Sequence, residues 1–236
     1  MLDGLHRAMD LVDEDRSIRT LVLSSKGPSF QAGADLGWIA SLANQGQAVN
    51  LEASRQTALA VDRLQQLRPT SIALVQGACY GGGTGLIAAC DVVIATEHAR
   101  FGITEARWGL MPSIILPQLI QAIGLRHLRR YLQTCEHFDA GQALTIGLVH
   151  ELVADESALK ARAERLVDQL LRNAPEAVVA CKARSLELAK ALLTEEERHA
   201  LINEHAARRS TAEAMEGGLS FIERRDPAWY PTASNA

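Results

Sequence analysis

Gly77-Ala-Cys-Tyr-Gly-Gly-Gly83, continuing as Thr84-Gly-Leu-Ile-Ala-Ala-Cys-Asp91, lies between two short apolar runs, Ser71-Ile-Ala-Leu-Val75 and Asp91-Val-Val-Ile-Ala95. Both runs have the length and β-branched content of buried strands, and Leu86 to Cys90 reads as a helix between them. The glycines from Gly77 to Gly83 must then form a turn. Strand, glycine turn, helix and strand in that order define an α/β unit. Glycine lets a ligand approach the chain closely, and amides at a helix start lack partners and carry partial positive charge. Such a turn suits a phosphate or an oxyanion growing on a carbonyl; the plain alternative is a tight turn with no ligand. No Lys follows the glycines as a P-loop requires, and the sixth position counted from Gly81 is Leu86, so the dinucleotide pattern GxGxxG fails as well. A nucleotide cofactor is not supported.

The same alternation extends in both directions. Upstream, Leu2, Leu5, Met9 and Val12 recur at helical spacing between Met1 and about Asp15, and Ile18 to Leu23 reads as a buried strand. A glycine-bearing loop, Gly27 to Gly37, leads to a helix from about Leu51 to Leu67 that stops before Pro69. Downstream, strands continue to about Val153 and then cease. Glu156 to Asn173, Pro175 to Leu193 and Thr194 to Phe221 are rich in helix formers, with Pro175 at a helix start. These patterns predict an α/β core over residues 1–165 and a helical region over 166–236.

With 236 residues, 47% of them hydrophobic, the chain holds one substantial core. Its 24 Lys plus Arg against 28 Asp plus Glu give a net charge of −4, which draws neither nucleic acid nor an anionic membrane. The first residues lack a basic start and apolar run, so the chain reads as cytoplasmic. The apolar stretch Ile114 to Leu125 is broken by Pro117, Gln118 and Gln121 and is too short to span a bilayer. Cys79, Cys90, Cys135 and Cys181 form no CxxC pair and read as reduced core thiols. The seven histidines contain no HExxH, which leaves no metal site, and read as surface or structural groups. Ser24, Ser25 and Ser29 form no GxSxG elbow. Tyr80, Thr84 and Ser113 read as structural hydroxyls.

Several segments together resemble a known family. Phe30-Gln-Ala-Gly-Ala-Asp-Leu36, Gly77 through Asp91, Phe101-Gly-Ile-Thr-Glu105, Gly109-Leu-Met-Pro112, Phe138-Asp-Ala-Gly-Gln-Ala143 with Gly147-Leu-Val149, and Phe221-Ile-Glu-Arg-Arg-Asp-Pro227 are similar, in order and spacing, to the signature segments of crotonases, the enoyl-CoA hydratase/isomerase family. The resemblance implies a spiral of strand-strand-helix units with a C-terminal helical oligomerisation region, acting on acyl-CoA without a separate cofactor. It implies that the backbone N–H groups of Ala34 and Gly82 form an oxyanion hole and that the carbonyl of Ala32 faces the adenine of coenzyme A. Asp35, Gly81 and Pro112, in the matched segments, join the substrate-facing set.

Family hydratases carry two glutamates. Glu105 matches the second, whereas Gly85 stands at the first. A glutamate in an apolar site holds a raised pKa and serves as general acid or base, and the plain alternative for Glu105 is an exposed helix-start carboxylate. One acid suffices for hydration with another activator of water, or for double-bond isomerisation; a silent acyl-CoA binder is the third reading. Gly83 to Asp91 with Pro112-Ser-Ile-Ile-Leu-Pro117 resembles the branch of glutaconyl-type hydratases, acting on 3-methylglutaconyl-CoA or isohexenylglutaconyl-CoA in leucine or terpene degradation. There Gly85 would vacate room for a branched acyl group bearing a second carboxylate.

Of Trp38, Trp108 and Trp229, Trp108 is the pocket candidate, lying three residues beyond Glu105. Arg224 and Arg225 suit either a coenzyme A phosphate or a solvated helix end. The two strands that precede the first helix in the family have no counterpart here. The family resemblance implies a homotrimer or homohexamer, with Leu166, Leu170, Val178, Leu188, Leu192 and Leu201 supplying buried surface between subunits.

Overall fold

A computed structural model of the chain describes residues 1–173, 175–189, 194–225 and 228. Helix α1 (Leu2–Glu14) buries Met9 and Val12, and its Asp10 and Asp13 hold Arg63 of α3 (Gln47–Gln66) at 2.8 and 2.9 Å. The short α2 (Leu36–Ala43) precedes α3. Strands β1 (Thr20–Leu23), β2 (Thr70–Val75), β4 (Val92–Thr96) and β7 (Glu151–Val153) form one all-parallel sheet in that order. Every residue of β2 is buried, as the continuous apolar run requires of a strand covered on both faces. Shorter strands β3 (Ala78–Tyr80), β5 (Arg100–Gly102) and β6 (Phe138–Asp139) make a second sheet, with β3 and β5 parallel and β6 antiparallel to β5.

The segment from Gly77 to Gly83, expected to be a turn throughout, contains β3. Its backbone groups find partners on both sides. Gln31 N–H donates to the Ala78 carbonyl at 3.0 Å and Tyr80 N–H to the Gln31 carbonyl at 2.8 Å, while β5 pairs on the other flank. Two ladders satisfy these groups where an isolated turn would satisfy few. Helix α4 (Gly82–Ala88) accordingly begins at the second of the three adjacent glycines rather than at Leu86.

The corner between β2 and β3 is glycine for two reasons. Gly77 has φ +57°, and a β-carbon there would overlap the Pro28 carbonyl. The adjacent Gln76, buried, donates from Nε2 to the Ser25 carbonyl at 3.1 Å, Ser25 Oγ at 2.8 Å and the Gly27 carbonyl at 3.1 Å. Together they fasten the 25–29 loop to the corner.

Helices α5 (Leu116–Thr134), α6 (Ala140–Thr145), α7 (Glu156–Leu171), α8 (Pro175–Ala189), α9 (Glu195–Arg209) and α10 (Ala212–Glu223) complete the chain. The boundary drawn at 165/166 falls inside α7, whose Leu159 and Ala163 pack on Ile72, Leu74 and Ile94 of the sheet. Lys182 of α8 donates to Asp91 at 2.6 Å, and the same carboxylate oxygen accepts from the N–H and Oγ of Ser71. The stretch Thr194 to Phe221, expected as one helix, is two. Thr211 takes an extended conformation and caps α10 by accepting from Ala214 N–H at 3.2 Å. Cys181 is exposed, unlike the three buried thiols, because it lies on the outer side of α8. No helix among the described residues is long and apolar enough to cross a membrane.

The corner can be tested with paired substitutions. Gly27 also has positive φ, +93°, but nothing lies within 4 Å of a β-carbon there. Gly27→Ala should cost about 1 kcal/mol in urea denaturation, from backbone strain alone. Gly77→Ala adds overlap with backbone and should cost at least about 2 kcal/mol more. Equal losses would show that the Pro28 contact does not constrain the fold.

Candidate active site

The site follows from register. In the small sheet Gln31 bridges Cys79, and Cys79 pairs with Phe101, all in parallel sense. Three residues further along each segment stand Ala34, Gly82 and Thr104, with Glu105 next. Parallel pairing therefore brings the Ala34 loop, the start of α4 and Glu105 to the same end of the three segments. The N–H groups of Ala34 and Gly82 have no hydrogen-bond partner among the described residues. Gly81, with φ +53°, donates its N–H to the Gly102 carbonyl at 2.9 Å, and the Glu105 carboxyl lies against it. A β-carbon on Gly81 would stand 3.1 Å from Glu105 Oε1.

Ala34, Gly82 and Glu105 open onto a cavity of about 620 Å³, whereas Gly81, expected among the substrate-facing residues, does not line it but backs the Glu105 carboxyl. Gln31, Gly33, Ala34 and Asp35 line the cavity together with Gly82, Leu86 and Glu105 and with Leu110, Met111, Pro112, Ile114 and Ile115. Met1 before α1, Leu2 and Asp3 of α1, Trp38 and Ile39 of α2, Thr57, Ala60 and Val61 of α3, and His205 and Arg209 of α9 complete the lining.

Glu105 begins a 3-10 turn, Glu105–Trp108, and is not the exposed helix-start carboxylate that the sequence allowed. Part of the residue reaches solvent, yet Oε2 is sealed and has no hydrogen-bond partner. Burial raises its pKa from the usual carboxylate range to about 7, against the lowering effect of hydrogen bonds from the Glu105 and Thr104 backbone. The turn is clamped by α10. A β-carbon on Gly217 would overlap the Trp108 carbonyl, and one on Gly109 would press on the Glu213 backbone. Trp108 itself packs edge-on against Phe221, ring centroids 5.0 Å apart, and does not line the cavity. Trp38 lines it instead.

Gly85 does not vacate room for substrate. A β-carbon there would overlap the Ile115 side chain, which already fills that space, so Gly85 seats the Pro112–Ile115 segment and Ile115 faces the cavity in its place. Pro112 and Asp35 lie on the wall as expected, Asp35 also capping α2 by accepting from Trp38 N–H at 3.0 Å. Ala32 is exposed beside the wall residues Gln31 and Gly33. Thr84 Oγ1 donates to the Gly81 carbonyl at 2.7 Å, Tyr80 stacks on His137 at 4.6 Å, and Ser113 is buried; none of the three lines the cavity. Arg225 is held at both amino groups by Glu216, at 2.6 and 2.9 Å, so its charge is engaged within α10. Trp229, and Asp226 and Pro227 of the last matched segment, lie outside the described residues.

Two functional candidates escaped the sequence reading. His205 lies half-buried on the cavity wall with Nδ1 2.9 Å from Ser54 Oγ; the burial of its ring, and then the charge of Arg209, lower its pKa to about 3, leaving a neutral ring. Arg209, 5% exposed, stacks its guanidinium 5.6 Å from the Trp38 ring centroid. Burial lowers its pKa only to about 10, so it stays charged at neutral pH. The available signal was periodicity: Ile202, His205, Ala206 and Arg209 share the buried face of α9, where polar residues are out of pattern. No group of three or more His, Cys, Asp or Glu among the described residues is arranged to hold a metal ion.

Paired backbone donors next to one carboxyl in a largely apolar cavity can polarise a carbonyl and move a proton beside it. Comparison with known proteins agrees. The model of the enoyl-CoA hydratase/isomerase family matches residues 1–232, and the chain belongs to that family, the crotonases. A solved enoyl-CoA hydratase from Mycobacterium avium superimposes with a TM-score of 0.84 at 32% identity, over 97% of this chain and 86% of that one. Pseudomonas aeruginosa AtuE gives a TM-score of 0.76 at 35% identity, over 97% and 88%. The mevalonyl-coenzyme A hydratase sidH of Aspergillus fumigatus is 29% identical across 97% of this chain and 84% of its own length. The chain is thus an acyl-CoA enzyme of crotonase fold.

Proposed function

We propose that this chain adds water to a branched enoyl-CoA of glutaconyl type, with the thioester oxygen held by the N–H groups of Ala34 and Gly82. The observation that carries the reading is that those two amides, unpaired among the described residues, and the Glu105 carboxyl line the same cavity. Donors aimed at the oxygen stabilise the enolate that forms as water bonds to the β carbon. The atoms balance with a single acid. Glu105, as carboxylate, takes a proton from the water as its oxygen attacks, and the resulting carboxylic acid gives that proton to the α carbon. The reverse reaction begins from the same carboxylate. With its pKa at about 7, Glu105 has both forms within reach near neutral pH. No cofactor is needed beyond the coenzyme A of the substrate. The hydratase name of the fungal relative supports water addition; the branched acyl group rests on the resemblance of Gly83–Asp91 and Pro112–Pro117 to the glutaconyl branch.

Because both directions start from the carboxylate, kcat/KM should rise with pH through about 7 and then level off. Glu105→Gln should lower hydration by at least about 10²-fold while retaining thioester binding. Normal turnover in that variant would remove Glu105 from the mechanism. Movement of a double bond without water uptake, on the same panel of thioesters, would favour the isomerase reading, and binding without turnover the silent-binder reading.

We also propose assembly into a homotrimer or its hexamer. Leu166 and Leu170 do not supply the surface as expected, since they pack on the sheet cluster of their own chain. Leu188 and Leu192 lie outside the described side chains. The support is on α10, where Met215, Leu219 and Ile222, 51%, 46% and 56% exposed, share one helical face. Light scattering should give three or six chain masses at micromolar concentration, and a concentration-independent monomer would contradict the assembly.

A further inference from the structure

We propose that Arg209 is the specificity-determining residue of the cavity and that it receives a second carboxylate carried by the acyl group of the substrate. The proposal deepens the reading above, because it takes the cavity to hold an acyl-CoA.

Arg209 is the one Lys or Arg on the cavity wall among the described residues. Its guanidinium makes no hydrogen bond or ion pair among them, and Nη1 is buried without a partner. Its aromatic contact is the face of Trp38, 5.6 Å from the guanidinium carbon to the ring centroid, and a ring face accepts no N–H at a carboxylate-like pair of oxygens. A buried cation without a counter-ion is expensive, and the Trp38 ring offsets only part of that cost. His205, one helical turn earlier, is uncharged and turned to Ser54. Asp35 is occupied as the cap of α2, and neither it nor Asp3 or Glu105 pairs with Arg209. The missing partner is an anion that enters the cavity, and a planar fork of N–H donors fits a carboxylate at two oxygens.

The cation is also placed to read the acyl end. Trp38, which it stacks on, lies in the first turn of α2, directly after the Ala34 loop that receives the thioester oxygen in the proposed mechanism. A short acyl chain running from Ala34 along this wall brings its far carboxylate to the guanidinium. The other source of negative charge in such a ligand is a phosphate of coenzyme A, and the two are separable by experiment.

The test is calorimetric binding of unreactive saturated probes: glutaryl-CoA, which ends in a carboxylate, and butyryl-CoA, which does not, together with free coenzyme A and 3′-dephospho-coenzyme A. The wild-type chain should bind glutaryl-CoA at least about tenfold more tightly than butyryl-CoA. In Arg209→Gln that ratio should fall to near one, and in Arg209→Lys, which keeps the charge but loses the fork, to an intermediate value. The ratio for coenzyme A over its dephospho form should not move. Equal wild-type affinity for the two thioesters overturns the proposal even if no variant folds. A change in the phosphate ratio instead of the acyl ratio assigns Arg209 to the coenzyme and also overturns it. If no thioester binds, the acyl-CoA reading of the cavity itself falls; if both bind without preference, only the role of Arg209 falls.

Discussion

The contact between Gly77 and the Pro28 carbonyl is the constraint on which the site depends. With no side chain at 77, the 25–29 loop closes onto the corner after β2, and Gln76 fastens it with three hydrogen bonds. The loop then runs on as Phe30 and Gln31, whose amides pair with the Gln76 and Ala78 carbonyls at 2.8 and 3.0 Å. From that pairing the register carries forward without further choice. Ala34 and Gly82 are equidistant from the Gln31–Cys79 bridge, and Glu105 follows from the pairing of Cys79 with Phe101. Side chains take little part in holding the donors, so substitution at Ala34 or Gly82 acts through backbone shape.

The electrostatics of the cavity follow from this enclosure. Removing water raises the Glu105 pKa, empties His205 of its charge and leaves Arg209 charged but without a counter-ion among the described residues. One low-dielectric space thus presents a carboxyl poised near neutrality and a fixed cation. The C-terminal helices are part of this arrangement. α10 clamps the turn that bears Glu105 through Gly109 and Gly217, and α9 brings in both His205 and Arg209. The Glu105 end of the small sheet and the helical region are therefore one packing unit at the cavity.

What the sequence made legible was whatever depended on local pattern. The glycine corner, the strand at Ser71–Val75, the helix start at Pro175 and the wall positions of Ala34, Asp35, Gly82, Glu105 and Pro112 all lie in short segments with their own signatures. What stayed hidden depended on contacts between distant segments. Strand β3 looked like turn because its partners, Gln31 and Phe101, are far away in sequence. Gly85 looked like vacated space because Ile115, thirty residues on, fills it. Trp108 looked like pocket lining because nothing local reveals Phe221, and Arg209 was silent because its isolation becomes visible only once α9 is laid over the cavity. Thr211 was the exception: its cap was readable, but the helix-rich composition around it masked the break.

The central claim is that the backbone amides of Ala34 and Gly82 polarise a thioester carbonyl. Its most direct test is the infrared difference spectrum of a bound enoyl thioester carrying ¹³C at the carbonyl, recorded on Glu105→Gln so that the ligand is not consumed. The account predicts a carbonyl stretch at lower frequency than in water, as two aimed donors in a dry site weaken the C=O bond. A bound thioester whose carbonyl band stands at its frequency in water, or above it, would contradict the account.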